Sequence, residues 1–168
     1  MSAQRQQRKP SGRFFWAGTG LLFLLLAAIA VPPAQAATTE RIVTDPNRGL
    51  ALSGFDPVAY FTDARPLPGR DDVEMNYGGA TWRFRNEGNR AAFAANPEVY
   101  LPVFGGYDPV AVARGVAAEG HPQIWLIRSE RLYLFYDAAA RKAFSESPDA
   151  GLAAARKKWP DVLLTISP

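Results

Sequence analysis

Two copies of one short motif constrain the local fold of this chain. Ser53–Ala59 reads SGFDPVA and Gly105–Ala111 reads GGYDPVA, so each copy places Asp-Pro after an aromatic residue. Aspartate at a helix N-cap accepts hydrogen bonds from the first free amides, and proline suits the next position because an N–H is not needed there. The motif therefore predicts helices that begin after Asp56 and after Asp108. The alternative is that the two carboxylates meet in a functional site. Beyond this motif the sequence shows no extended internal repeat.

The rest of the pattern predicts an α+β domain with a small antiparallel sheet of about four strands in two hairpins, and with several short helices. Large and polar residues alternate in Val73–Tyr77 and Thr81–Arg85 around Gly78-Gly79, which is typical of a hairpin. Gln123–Arg128 and Arg131–Tyr136 form the second predicted hairpin. The predicted helices are Asn86–Ala95, Pro97–Tyr100, Asp137–Phe144 and Leu152–Trp159, and the expected core contacts of the last two are Ala138, Ala139, Phe144, Leu152 and Trp159.

Residues 1–36 have the pattern of a secretory signal peptide. Basic residues are followed by the apolar run Leu21–Val31, by Pro32-Pro33 and by the small-x-small ending Ala34–Ala36. The apolar run is shorter than the roughly 20 residues that cross a bilayer. We therefore expect cleavage after Ala36, a single mature domain at residues 37–168, and a periplasmic or secreted location. The alternative is an uncleaved anchor in the inner membrane formed by residues 14–31.

Charge and cysteine content exclude several classes of function. The leader holds four of the 19 Lys and Arg residues and none of the 16 Asp and Glu residues, so the mature chain is close to neutral. A nucleic-acid-binding protein needs a concentrated basic face, so we expect no nucleic-acid partner, and membrane contact only through the leader. The chain has no cysteine and one histidine, which excludes disulfides, thiolate metal sites and a zinc site built from several imidazoles of one chain.

Four stretches, taken in order, carry a resemblance to a known family: GFDPVAYF (54–61), YGGATWRF (77–84), NRAAFAANPEVYLPVFGGY (89–107) and RLYLFYD (131–137). With them, residues 52–159 resemble exported bacterial proteins of the YHS domain family. The resemblance implies metal binding, which is generally suspected for this family, with no reaction attached. The Tyr-His-Ser triplet that names the family is absent. Asp108 stands where exported relatives commonly carry a cysteine after Gly-Gly-Tyr, and oxygen in place of sulfur predicts weaker Cu(I) binding.

The candidate site combines both copies of the motif with the single histidine. Asp108 and His121 are the predicted ligands of a divalent metal ion, and Asp56 is a second carboxylate or an orienting group. Tyr60 and Tyr107 are the predicted walls of a ligand pocket. The structural alternatives are that both aspartates are helix caps, that His121 lies in a surface loop, and that the tyrosines pack in the core.

These residues leave three hypotheses of function open. The first is an exported, non-enzymatic YHS-like domain that binds a metal ion or a small ligand as an accessory to another protein. The second is a protein-interaction module without a metal or ligand site. The third is a small hydrolase that uses the carboxylates, although no serine of this chain has the sequence context of a nucleophile elbow.

Overall fold

The structure is a computed structural model and describes residues 41–166. The predicted signal peptide, residues 1–36, and the alternative anchor, residues 14–31, lie outside the described residues. Within residues 41–166, no helix combines the length and the apolar character that a membrane crossing requires.

The predicted α+β class is confirmed, with four strands in two antiparallel hairpins. Strand β1 (Arg70–Tyr77) pairs with β2 (Ala80–Phe84), and β3 (His121–Arg128) pairs with β4 (Arg131–Phe135). Each hairpin is a two-stranded sheet of its own in the described part of the chain. The two turn residues of each hairpin have positive φ, which is the geometry that matches the right-handed twist of the strands. Glycines supply it in the first turn, and Ser129 and Glu130 adopt it in the second.

In residues 41–166, six α-helices and two short 3-10 turns connect and cover these hairpins. The 3-10 turns are Leu52–Gly54 and Val103–Gly106. The α-helices are α1 (Ala59–Thr62), α2 (Glu87–Ala95), α3 (Pro97–Tyr100), α4 (Pro109–Ala113), α5 (Ala138–Glu146) and α6 (Pro148–Ile166). Of the core contacts expected for the last two helices, Phe144, Leu152 and Trp159 are buried. Ala138 and Ala139 are exposed because the first turn of α5 is open to solvent, so that part of the prediction is wrong.

The chain folds as two structural repeats, contrary to the expectation that the motif stands alone. Repeat 1 is residues 50–96 and repeat 2 is residues 102–147. Each contains a 3-10 turn, a short helix, a hairpin and a helix of nine residues, in that order. Even the irregularities match: the register of the first hairpin shifts between Arg70 and Glu74, and that of the second between His121 and Trp125.

The repeat escapes detection in the sequence because equivalent core positions keep their size and apolar character more than their identity. Trp82 of repeat 1 corresponds to Tyr133 of repeat 2, while Phe84 and Phe93 correspond to Phe135 and Phe144. All of these side chains are buried. Phe93 packs against Trp82 and Phe84, just as Phe144 packs against Tyr133 and Phe135. The repeats diverge afterwards, since α3 ends after one turn whereas α6 continues and packs against α4.

The segment before repeat 1, here called the lead-in segment (residues 41–49), lies across repeat 2. The Val43 amide donates to the Gly105 carbonyl oxygen at 2.8 Å. A Cβ atom at Gly105 would overlap the Arg41 carbonyl oxygen, so only glycine permits this close approach. A turn ends the segment, with the Asp45 side chain accepting from the amides of Asn47 and Arg48.

Candidate functional site

The two aspartates of the repeated motif are the only buried acidic side chains among residues 41–166, with exposed fractions of 0% for Asp56 and 2% for Asp108. Oδ1 of each carboxylate accepts from the amide two residues on, at 2.8 Å from Val58 and at 2.7 Å from Val110. This bond confirms the predicted cap at Asp108, which is the N-cap of α4. In repeat 1 the helix begins at Ala59 with Val58 as its N-cap, so Asp56 makes the same bond without being the N-cap of α1.

The second oxygen of each aspartate makes a longer-range bond that capping alone does not require. Oδ2 of Asp56 accepts from the Arg85 amide at 2.8 Å, and Oδ2 of Asp108 accepts from the Tyr136 amide at 3.0 Å. Both donors directly follow the second strand of their hairpin. Each aspartate therefore joins the start of a short helix to the end of a hairpin.

Asp56 has one partner more than Asp108. The Asn89 side-chain amide donates to Oδ2 of Asp56 at 2.6 Å. The equivalent position in repeat 2 is Ala140, which has no group to donate. The two carboxylates are therefore matched in backbone contacts but differ by one side-chain donor.

The two tyrosines predicted as pocket walls are packed in the core. The Tyr60 hydroxyl donates to the Pro122 carbonyl oxygen at 2.8 Å, and its ring contacts Trp125 edge-on. Burial raises the pKa of Tyr60 above its ordinary value, and the nearby Asp56 carboxylate raises it further. Tyr107 packs against Trp159, and its pKa is raised mainly by burial and also by the Glu119 carboxylate, with Arg41 acting in the opposite direction.

His121 is the first residue of β3 and lies at an open cleft between the lead-in segment and repeat 2. We call it the lead-in cleft; its volume is about 320 Å³. Its apolar and backbone lining consists of Ile42, Val43, Pro46, Leu52, Pro102, Gly105, Gly106, Gly120, Pro122 and Leu134, and its polar lining consists of Thr44, Asp45, Ser53, Glu119, His121 and Tyr136. Nδ1 of His121 accepts from the Gln123 amide at 3.2 Å, which places the proton of the neutral ring on Nε2.

The predicted ligands Asp56, Asp108 and His121 are found in three different settings. His121 lines the lead-in cleft, Asp108 lines a second hollow between α4 and α5, and Asp56 lines neither of them. Within residues 41–166 no group of three or more His, Asp or Glu side chains is arranged so that it could hold a metal ion. The metal-binding role of these residues stays a prediction.

Sequence reasoning missed three residues that matter here. Asn89 could have been found by aligning the two hairpins and the helices that follow them, which are one residue closer in sequence than the two copies of the motif, because Asn89 then falls opposite Ala140. Glu119 lies in no motif, and Tyr136 lies in the RLYLFYD stretch, which does not indicate a site. They line the lead-in cleft only because the lead-in segment folds back over repeat 2, a contact between parts of the chain that are distant in sequence.

Comparison of the chain with protein family models, with curated proteins and with solved structures found no match. The resemblance to the YHS domain family stays a prediction that rests on the four stretches quoted above.

The buried Tyr60 hydroxyl yields a prediction on alkaline stability. At pH 7, Tyr60→Phe should lower the free energy of unfolding by about 1 kcal/mol, because the Pro122 carbonyl loses its donor. A free tyrosine ionises near pH 10, whereas folded Tyr60, with its raised pKa, stays neutral. The unfolded state therefore gains stability above about pH 10, so the wild-type protein loses stability there through Tyr60 and the variant does not.

Urea unfolding at pH 7 and pH 11 measures this difference. The stability deficit of Tyr60→Phe should shrink to near zero at pH 11. At one pH unit above the ordinary pKa of tyrosine, ionisation in the unfolded state costs the wild-type protein about 1.4 kcal/mol, and the variant has no such loss. Tyr136→Phe is the control, because its side chain is 65% exposed and should leave stability at pH 7 unchanged. A deficit that is the same at both pH values would show that Tyr60 ionises as easily in the folded protein as in the unfolded chain.

Proposed function

We propose that this chain is an exported, non-enzymatic domain of the YHS-like kind that binds a small organic ligand in the lead-in cleft. The observation that carries the proposal is the cleft itself. Ligand sites in proteins are concave, about 300–1,000 Å³ in volume, and mainly apolar with a few polar groups. The lead-in cleft has a volume of about 320 Å³ and this kind of lining. Export is supported by the pattern of residues 1–36.

The polar groups of the cleft indicate what the ligand carries. Nε2–H of the neutral His121 ring is a donor and the Glu119 carboxylate is an acceptor, and both residues are exposed. The lining of the cleft also includes the apolar side chains of Ile42, Leu52 and Leu134. A small, mainly apolar molecule with one hydroxyl, carbonyl or amide group fits these requirements. Such a domain holds the ligand, and this role is consistent with a domain that acts as an accessory to another protein.

The test is an NMR titration of the ¹⁵N-labelled protein with neutral ring compounds that carry one polar group: phenol, benzamide and indole. We expect saturable shifts of the Gly105, Gly106 and Gly120 amide resonances. His121→Ala should weaken the affinity about 3–10-fold, the equivalent of roughly one hydrogen bond.

Repeat 1 offers a matched control for this titration. Arg70 occupies the position equivalent to His121, is exposed, and does not line the cleft. Arg70→Ala should therefore bind the probes as the wild-type protein does. If no probe produces saturable shifts, or if Arg70→Ala loses as much affinity as His121→Ala, the proposal is wrong, and the hypothesis of an interaction module without a ligand site gains support.

A further inference from the structure

The hollow between α4 and α5 is a second concavity, separate from the lead-in cleft except that Tyr136 lines both. Its volume is about 360 Å³, and we call it the α4–α5 hollow. Its charged lining residues are Asp108, Asp137 and Arg114, so negative groups outnumber positive ones by two to one. Asp108 is the buried member, with an exposed fraction of 2%.

The equivalent place in repeat 1 shows what the α4–α5 hollow lacks. Asn89 is the third residue of α2, and its amide reaches Oδ2 of Asp56 at 2.6 Å. Ala140 is the third residue of α5 and lines the hollow beside Asp108. The two helices begin alike, since the backbone amide of each of these residues donates to the side chain of the N-cap, Asn86 or Asp137. The hollow therefore lies where repeat 2 has alanine in place of the asparagine of repeat 1.

Among the described residues, Oδ2 of Asp108 therefore has one acceptor position without a donor, whereas the Asn89 amide occupies the equivalent position at Oδ2 of Asp56. A carboxylate oxygen accepts two hydrogen bonds, and within residues 41–166 Oδ2 of Asp108 accepts only from the Tyr136 amide. A buried acceptor of this kind favours a donor, and the negative charge favours a cationic one. The ligand therefore has to bring N–H groups and positive charge to Oδ2.

We propose that the α4–α5 hollow binds a small primary ammonium compound, whose N–H donates to Oδ2 of Asp108 in the place that the Asn89 amide takes at Asp56. Asp137 adds a second negative charge to the lining, and the alanine-rich walls of the hollow leave room for a short carbon chain. This site is independent of the ligand proposed for the lead-in cleft, because the two differ in lining and in the charge of the ligand.

The experiment titrates the full-length protein with methylammonium chloride, with tetramethylammonium chloride as the control. The two cations have the same charge, but only methylammonium carries N–H donors. The amides of Val110 and Tyr136 report on the site because both donate to the Asp108 carboxylate. We expect saturable shifts of these two resonances with methylammonium and none with tetramethylammonium, while the Gly105 resonance, which reports on the lead-in cleft, stays in place.

Ala140→Asn is the decisive variant, since it rebuilds in repeat 2 the contact present in repeat 1. It should raise the melting temperature by about 2–4 °C through the new bond to Asp108. It should also abolish the methylammonium shifts by occupying the hollow. The reciprocal variant Asn89→Ala should lower the melting temperature by a similar amount and create a methylammonium response at the Val58 and Arg85 amides, which donate to Asp56.

Three results would overturn the proposal. The first is an equal response to the two cations, which would indicate non-specific charge effects. The second is a methylammonium response that persists in Ala140→Asn. The third is the absence of a wild-type response; if Ala140→Asn is then still stabilised, the hollow is a packing difference between the repeats and not a binding site.

Discussion

Replacing Asp56 with alanine is expected to lower the free energy of unfolding by about 3–5 kcal/mol, which is a large share of the roughly 5–15 kcal/mol that stabilises a typical domain. The side chain is fully buried and accepts from three donors: the amides of Val58 and Arg85 and the side chain of Asn89. A buried donor left without a partner costs about 1–3 kcal/mol, and the Val58 amide is fully buried whereas the other two donors are partly buried. Asp108→Ala removes an acceptor from only two donors, so its expected cost is lower, at about 2–3 kcal/mol.

Urea unfolding of the two variants, with and without a metal chelator, measures this difference. Asp71→Ala is the control, because Asp71 lies exposed on β1 and surface changes of this kind usually stay within about 0.5 kcal/mol. A chelator should not change the wild-type stability if the aspartates act only through these hydrogen bonds. Equal losses at Asp56 and Asp108 would contradict the assigned difference in partners, and a chelator-sensitive wild-type protein would favour the predicted metal site.

The local part of this arrangement could be predicted from the sequence. The structural effect of Asp-Pro is local, because the capping side chain, the proline with its fixed φ and the first free amides of the helix are neighbours in the chain. The hairpins were predicted for the same reason, since their turns and alternation are local signals. Both strand pairs lie within a few residues of the predicted ranges.

The long-range part could not be predicted. The donors to Oδ2 of each aspartate, Arg85 and Tyr136, are backbone amides, and any residue type at those positions has one. Nothing in the sequence distinguishes them. The lead-in cleft likewise depends on the lead-in segment crossing repeat 2, and the only trace of this in the sequence is a glycine at position 105 that also suits the turn after Val103.

The residues of the candidate site are found in separate settings, and their role in binding a metal or a ligand stays a prediction. Tyr60 and Tyr107 are part of the core, which was the structural alternative, and the structure places His121 in a different cleft from Asp108. The sequence left open, as the alternative to capping, that the two copies meet in a functional site. They do not need to converge, because each copy performs the same structural task in its own repeat.

The second large effect is expected at the pair of glycines that precede the hairpins. Gly69→Ala and Gly120→Ala should each lower the free energy of unfolding by about 3 kcal/mol, from overpacking and from the loss of one backbone hydrogen bond. A Cβ atom at Gly69 would lie 2.5 Å from the Cβ of Arg83, and one at Gly120 would lie 2.5 Å from the Cβ of Leu134. Both neighbours belong to the second strand of the hairpin, so the added methyl group would push the two strands apart.

The backbone bonds at risk are also equivalent in the two repeats. The Gly69 amide donates to the Gly54 carbonyl oxygen and the Gly120 amide to that of Gly106, both at 2.9 Å. Gly151→Ala is the control, since its Cβ would meet only Phe144 at an ordinary 3.7 Å, and alanine in a helix is favoured over glycine by about 1 kcal/mol. Thermal unfolding should therefore show two destabilised variants and one stabilised variant.

Similar losses at Gly69 and Gly120 would support the structural repeat independently of any ligand, because the two positions share only their place in the repeats. A large loss at one and none at the other would show that the equivalence does not extend to the packing of the hairpins.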